Sequence, residues 1–438
     1  MRASFLKFLV PAAVCLIVSG CGGSSASTGG GGGDGGGGGG TPTTVTVSFA
    51  GTPATLATQI GSGAFTAATL TSGKLTLSIP SGTTNFAVAY LCVISSYTEE
   101  TILEASTLDG TSYSAVFCPS NTTVPTGTLT GSADVSAIAG AGFVGVTANN
   151  SNGIAYQTIL TTGVSATLNV SAQSGTDRVA VSAYNVTPSN PVTFNSLDTL
   201  LAVRNFDGVA VPGAVNGGNT VTLGAADAVT LQPITYKNVP SGFPTPTTSA
   251  NYEWSDGGQL VLASAATTQY PAIPAAAAES GDYYSFNSTI EISTGAGGAE
   301  EGVSVSTNTT SNGPLTLTFP APWTYAGPTA SALPVFNLAN SGITGKTGVT
   351  DYATLIWNNS PAGGTDIEVI ATGNYLNGST SLTFPAFTGL TGFLSGPPSG
   401  SSVVWFAGVN QSSAPSLQSL TQNGTGVGVE NGGSFKVP

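Results

Sequence analysis

Histidine is missing altogether from the 438 residues, and only 7% of them are charged. Without an imidazole the chain cannot build a Ser-His-Asp triad, a Cys-His dyad or a histidine-ligated zinc or iron centre. Basic residues are scarce, eight against 21 acidic ones, so the surface repels polyphosphate and no nucleic acid is expected as a partner. No apolar run of membrane-spanning length follows residue 20. Helical periodicity is absent except at Pro274 to Ser280, where four alanines and Glu279 suggest a single short turn. What is abundant is Gly (60) and Pro (26), with Ser and Thr. That composition belongs to a β protein in which hydroxyls do the solvating, long enough for two to four domains of about 100 to 200 residues each.

At the N-terminus Arg2 and Lys7 flank a short apolar run, Phe8 to Val18, interrupted by Pro11. The run is too short to cross a bilayer core of about 30 Å and reads as a secretory leader. It ends in Val18-Ser19-Gly20-Cys21. This tetrad resembles the lipobox of bacterial lipoproteins: an aliphatic residue, two small residues and a cysteine. The resemblance implies cleavage before Cys21, a diacylglyceryl thioether on its thiol and acylation of its new amine. Acyl chains contribute about 0.8 kcal/mol per buried CH₂, so several of them anchor a chain almost permanently. Gly22 stands where lipoproteins kept at the inner membrane typically carry Asp, which favours the outer membrane. Residues 22–40, nearly pure Gly and Ser, form a flexible tether averaging roughly 25 Å end to end.

Removing the leader leaves six basic residues against 21 acidic ones, a net charge of −15. Of the four cysteines, Cys15 departs with the leader and Cys21 carries lipid. In an oxidising compartment Cys92 and Cys118 read as a disulfide. Metal binding is the rival reading of that pair, weakened by the lack of His and of a third thiol.

From Thr43 onward apolar residues alternate with Ser and Thr. Leu75-Thr76-Leu77-Ser78-Ile79, the turn Pro80-Ser81-Gly82-Thr83 and Phe86-Ala87-Val88-Ala89-Tyr90 spell strand, turn, strand. A similar order returns in Ala166-Thr167-Leu168, Ser174-Gly175-Thr176 and Val179-Ala180-Val181, with Ser174 placed 93 residues after Ser81. A repeat of that length suits one seven-strand sandwich per copy. The stretch Leu77 to Thr83 also resembles the transthyretin-like, carboxypeptidase-regulatory type of β-sandwich over about 80 residues, and such modules mostly serve as structural or binding domains. The expected fold is therefore all-β, with tandem sandwich modules behind a disordered Gly-rich tether: signal peptide 1–20, lipidated Cys and tether 21–42, module 1 over 43–122, module 2 over 123–242, and β-rich module(s) over 247–438. The proline-rich stretch 239–246 reads as a stiff hinge.

Two nucleotide motifs are products of Gly-rich composition. Gly140-Ala141-Gly142-Phe143-Val144-Gly145 fits GxGxxG, but turn-like sequence follows it and no acid occurs until Asp177; Gly345-Lys346-Thr347 ends like a P-loop, but Asn340 replaces its first Gly. Glu99-Glu100 and Glu300-Glu301 are adjacent acids, and adjacent residues on a strand face opposite ways, so each pair reads as solvated loop charge. No Asp-x-Asp-x-Asp calcium loop is visible, and no metal or cofactor is expected. Tyr252, Trp254 and Trp323, with Tyr283, Tyr284 and Tyr325, are candidates for stacking on sugars or for corner and core aromatics.

These observations favour a lipid-anchored envelope protein with a structural or binding role towards glycan or protein, and no catalytic residue is assigned. The alternative is a surface polysaccharide hydrolase using carboxylates beyond residue 246. It would need acids such as Glu253, Asp256, Asp282 and Glu291 to share a cleft beside a Trp.

Overall fold

The computed structural model describes residues 41–49, 51–94, 97–114, 118, 126–148, 157–162, 164–185, 199–255, 258–293, 300–358, 364–414, 417 and 423–438. Cys21 and the tether lie outside them. The fold is all-β, as the alternating sequence predicts, and no described helix is long and apolar enough to cross a membrane.

Strand pairing divides the chain into four units of one topology. Unit 1 contains β1 (Thr43–Ser48), β2 (Thr55–Ile60), β3 (Thr66–Ala67), β4 (Lys74–Ile79), β5 (Asn85–Ile94), β6 (Tyr97–Ser106) and β7 (Ser112–Ser114). One sheet runs β4-β1-β7, with β1 antiparallel to β4 and parallel to β7; the other runs β3-β2-β5-β6. Unit 2 repeats the plan with β8 (Thr126–Asp134), β9 (Ala141–Ala148), β10 (Gln157–Thr162), β11 (Ser165–Gln173), β12 (Gly175–Asn185) and β13 (Leu200–Val211). Its seventh strand is split into β14 (Gly213–Ala214) and β15 (Thr220–Thr222), both parallel to β8. Unit 3 comprises β16 (Thr230–Lys237), β17 (Thr248–Glu253), β18 (Gln259–Ala266), β19 (Gln269–Ala272), β20 (Tyr283–Ser293), β21 (Glu300–Thr309) and β22 (Leu315–Thr318). Its sheets are β19-β16-β22 and β18-β17-β20-β21. Residues 239–246 thus connect β16 to β17 inside one unit, since β16 pairs only with β19 and β22. Unit 4 has β23 (Val335–Asn337), β24 (Val349–Asn358), β25 (Gly364–Thr372), β26 (Ser381–Thr383), β27 (Ser402–Ser412) and β28 (Thr425–Lys436).

Local chemistry explains the recurrence. In β4, Leu75, Leu77 and Ile79 are buried while Lys74, Thr76 and Ser78 are exposed, the period-two pattern of a half-buried strand. A Ser-Gly pair then turns the chain into the fifth strand of every unit: Ser81-Gly82, Ser174-Gly175, Ser280-Gly281 and Ser399-Gly400. All four glycines have positive φ, 84°, 147°, 97° and 83°, a region that glycine enters without a Cβ clash.

Unit 4 lacks a seventh strand among the described residues, and β23 has only β26 as a strand partner. Residues 320–334 serve instead. Asn337 donates its backbone N–H to Tyr325 Oη at 3.2 Å, and the Trp323 indole donates to the Ala339 carbonyl at 3.2 Å. Tyr325 stacks on Trp323 and meets Trp405 edge-on.

Three four-stranded sheets fuse edge to edge into one of twelve strands, β18-β17-β20-β21-β28-β27-β24-β25-β6-β5-β2-β3. Units 3 and 4 join antiparallel through β21 and β28; units 4 and 1 join parallel through β25 and β6. One continuous core runs under units 3 and 4, with Phe286, Trp323, Phe336 and Leu355 among its members. The first unit's small sheet packs on the opposite face of the twelve-stranded sheet, burying Val45, Leu77, Phe86, Val88 and Leu103. Most buried residues of unit 2 form a separate core, but Phe143, Ala180, Tyr184, Leu200 and Val203 pack into the core of units 3 and 4, and unit 2 meets β18 at the Thr199–Ala263 bridge. Their joint combines these apolar contacts with a buried ion pair. Arg178, 4% exposed, pairs with Asp282 at 2.9 Å and lies 4.9 Å from the Trp254 ring centroid.

Candidate functional site

The aromatics with stacking potential in the sequence are not surface platforms. Tyr252, Trp254 and Trp323 are 3%, 2% and 2% exposed. Tyr252 meets Tyr284 edge-to-face, Trp254 packs under Arg178, and Trp323 seals unit 4. The acids proposed with them also separate. Asp282 is consumed at the joint, where it accepts from Arg178, Ser255 N and Glu279 N. Glu253 pairs in register with Tyr283, and Glu291 lies eight residues farther along β20, about 27 Å away at strand rise. Asp256 falls outside the described residues. Cys92 and Cys118 form the disulfide expected of them, both buried.

A different set of acids does converge. In-register partners on neighbouring strands face the same way, about 4.8 Å apart. On β6 and β25, Glu99 stands opposite Asp366 and Thr101 opposite Glu368; on β25 and β24, Glu368 stands opposite Thr354. Across β27 and β28, Tyr352 faces Gly408, which faces Glu430. Beyond them Gly302 separates Glu430 from Glu291. All of these side chains share the face that carries Leu103 and the small sheet of unit 1, and in units 3 and 4 no described strand forms a second layer on this face. The acids therefore cross an open outer face at the foot of a step made by unit 1.

Two tyrosines lie flat across this face over glycines. The Tyr97 ring covers Gly364, where a Cβ would come within 2.9 Å of it, and the phenol donates to Asp366 Oδ2 at 2.6 Å. Tyr352 covers Gly408, where a Cβ would approach within 2.6 Å of the ring, and its phenol donates to Glu430. Glycine is required at both points because the ring occupies the side-chain position.

The electrostatics are those of acids left without bases. Burial pushes Asp366 up to about 8; the Tyr97 hydrogen bond opposes it, and the neighbouring carboxylates Glu99 and Glu368 add smaller upward effects. Burial raises Glu368 and Glu430 to about 7, with Glu99 adding to the first and Glu291 and Glu300 to the second. Glu99 is raised by burial as well. Asp366 is 8% exposed, and its Oδ1 has no hydrogen-bond partner; Glu99, Glu368 and Glu430 are half-buried. Arg178 and Arg204 make the ion pairs found among the described residues, both with acids elsewhere.

The other face treats its acids differently. Glu100, the sequence neighbour of Glu99, points inward and accepts from Leu394 N at 2.6 Å, while Glu104 accepts from Tyr375 Oη at 3.3 Å. These contacts tie unit 1 to the loops of unit 4. A cavity of about 570 Å³ at the free β2–β3 edge is lined by Leu56, Ala68, Leu70, Leu390 and Phe393 with several threonines, and carries no charged side chain.

Chemically the outer face can donate and accept hydrogen bonds through neutral carboxyls, or present negative charge once they ionise. Among the described residues no group of three or more His, Cys, Asp or Glu is arranged to hold a metal ion. Adjacent acids in sequence do not reveal this set, because neighbours on a strand face opposite ways. The usable signal is period two: Tyr97, Glu99 and Thr101 on one strand, Asp366 and Glu368 on another. No protein-family model matches the chain, and no curated protein matches it.

Proposed function

We propose that the chain is a lipid-anchored cell-envelope protein, held through Cys21 and favouring the outer membrane, that uses a rigid multi-unit β scaffold to contact glycan or protein. The leader and the Val18 to Cys21 tetrad support the anchor, and the Gly-rich stretch gives the scaffold reach. The transthyretin-like resemblance of the first unit fits a structural or binding role. One observation carries the binding reading: the unlayered outer face gathers Glu99, Asp366, Glu368 and Glu430 among tyrosine and threonine hydroxyls with no base opposite them. Carboxyls held half-buried with hydroxyl donors but no opposing cation are available to a ligand.

The same geometry favours a second reading. Glu99 and Asp366 are in register on adjacent strands, a spacing compatible with the pair of carboxyls about 5 Å apart used by retaining glycoside hydrolases. Tyrosines rather than a tryptophan flank them. Glycan-array binding and polysaccharide turnover by the soluble chain from Thr41 onward separate the two: binding without turnover is expected, and turnover abolished by Asp366→Asn would establish the hydrolase. For the anchor, Cys21→Ser is expected to abolish lipid labelling and leader processing. Unchanged membrane retention in that variant refutes it.

A further inference from the structure

All six basic residues that follow the leader, Lys74, Arg178, Arg204, Lys237, Lys346 and Lys436, are described. Arg178 and Arg204 are spent on acids at and near the joint of units 2 and 3. The third arginine of the chain, Arg2, lies in the leader. Only Lys436 shares the outer face, six residues along β28 from Glu430, roughly 20 Å at strand rise. The foot of the step thus holds three carboxyls, Glu99, Asp366 and Glu368, and the molecule supplies no cation to them. Among the described residues, Tyr97, Tyr90, Thr101 and the disulfide-bonded Cys92 opposite Glu99 come from unit 1, Ile356 opposite Asp366, Thr354 and Tyr352 from β24, and Glu430, Glu291 and Glu300 lie beyond; none is positive. Asp366 is the central member. Tyr97 satisfies one of its oxygens, while Oδ1, buried and on the same face as its two half-exposed neighbours, accepts nothing. Glu99 faces it across β6, Glu368 follows two residues along β25, and Ile356 stands opposite on β24.

We propose that Glu99, Asp366 and Glu368 form a docking point for a cationic side chain, the ammonium or guanidinium of a basic segment on an envelope protein. The inference rests on the outer-face reading above and chooses a protein over a glycan. Charge complementarity argues for it: a neutral sugar would leave the three carboxyls as uncompensated as they are now, whereas an inserted cation gives Oδ1 its missing partner and offsets all three. Because burial raises Asp366 to about 8 and Glu368 to about 7 in the free protein, a cation docked against them displaces their protons. Binding is therefore linked to proton release, and each proton released tightens binding about tenfold per pH unit until the acid is ionised.

The test is calorimetric titration of the soluble chain from Thr41 with an eight-residue oligolysine, and separately with a neutral oligosaccharide mixture, at pH 6 and pH 8 in buffers of different ionisation enthalpy. The expected result is oligolysine binding at least tenfold tighter at pH 8, with a buffer-dependent heat that reports proton release. Asp366→Asn with Glu368→Gln, isosteric changes that relieve a burden of buried charge and should preserve folding, is expected to lose both. Asp134→Asn, on an exposed acid of unit 2, should lose neither. Equal binding by all three proteins would mean diffuse attraction to the net charge of −15 and overturn the proposal. Oligosaccharide binding abolished by the double variant, with no oligolysine response, also overturns it while leaving the outer-face reading intact. Silence from both probes sinks the two together.

Discussion

Asp366 concentrates the unusual chemistry of this protein in a single side chain. Its folded pKa, about 8, lies above the ordinary Asp value because burial and two neighbouring carboxylates oppose ionisation. In the unfolded chain it titrates near 4. Between those limits the folded state binds more protons than the unfolded one, so stability from this group is full below about pH 4 and declines until pH passes 8. Glu100, Glu104, Glu253, Asp351, Glu368 and Glu430, all raised to about 7 by burial, act in the same direction. The protein should therefore melt higher at pH 5 than at pH 8, the reverse of proteins stabilised by carboxylate salt bridges. Asp366→Asn should raise the melting temperature at pH 8, by on the order of a few kcal/mol of stability, and change it little at pH 5. Thermal melts at the two pH values decide it; a variant less stable than the parent at pH 8 would contradict the assignment. The disulfide adds a second expectation at this scale. Cys92→Ala with Cys118→Ala opens a 26-residue separation and should cost about 3 to 4 kcal/mol in chemical denaturation.

The strand and the turn were the most legible elements. Alternation in Leu75 to Ile79 marks a strand from sequence alone, and the Ser-Gly turn before Phe86 recurs before Val179 in an equivalent place. Ser280-Gly281 and Ser399-Gly400 were equally visible but lie at longer intervals, because units 3 and 4 carry longer connections. A fixed period hides them; the φ values reveal them. Gly82 and Gly400 have open space where a Cβ would sit, so substituting Ala tests backbone conformation without a steric clash. Each change should cost about 1 to 2 kcal/mol, the difference between left-handed and ordinary backbone for an L residue. Asn, which tolerates positive φ, should recover part of it. Urea denaturation of Gly82→Ala against Gly82→Asn checks the ordering, and equal losses would remove the turn argument. The outer-face acids were harder to read, since alternation says which residues share a face but not which strands lie side by side. Glu99 and Asp366 are 267 positions apart, and no local pattern pairs them.

At the scale of the whole molecule, edge protection governs the architecture. Open strand edges invite aggregation, and three of the four units settle theirs by joining one twelve-stranded sheet through β21 with β28 and β25 with β6. Unit 2 closes on the group through Phe143, Tyr184 and Leu200 in the shared core and through the Arg178, Asp282 and Trp254 contact. This organisation makes unit 4 a keystone: its removal would bare β21 and β6 together, ten residues each. A chain ending after residue 318 should consequently self-associate, seen as early elution in size-exclusion chromatography and a rise in thioflavin fluorescence, whereas the full soluble chain stays discrete. The joint makes the complementary case. Arg178→Ala leaves Asp282 buried with no charge partner, a loss of about 3 to 5 kcal/mol for breaking a buried pair. That loss should fall on the contact between units 2 and 3 and spare the fused sheet. Hydrogen exchange in Arg178→Ala should accordingly quicken in β18 and in the turn before β20 while the β25–β6 seam keeps its protection; uniform acceleration through the seam would mean that all four units unfold as one body and that the joint has no separate existence.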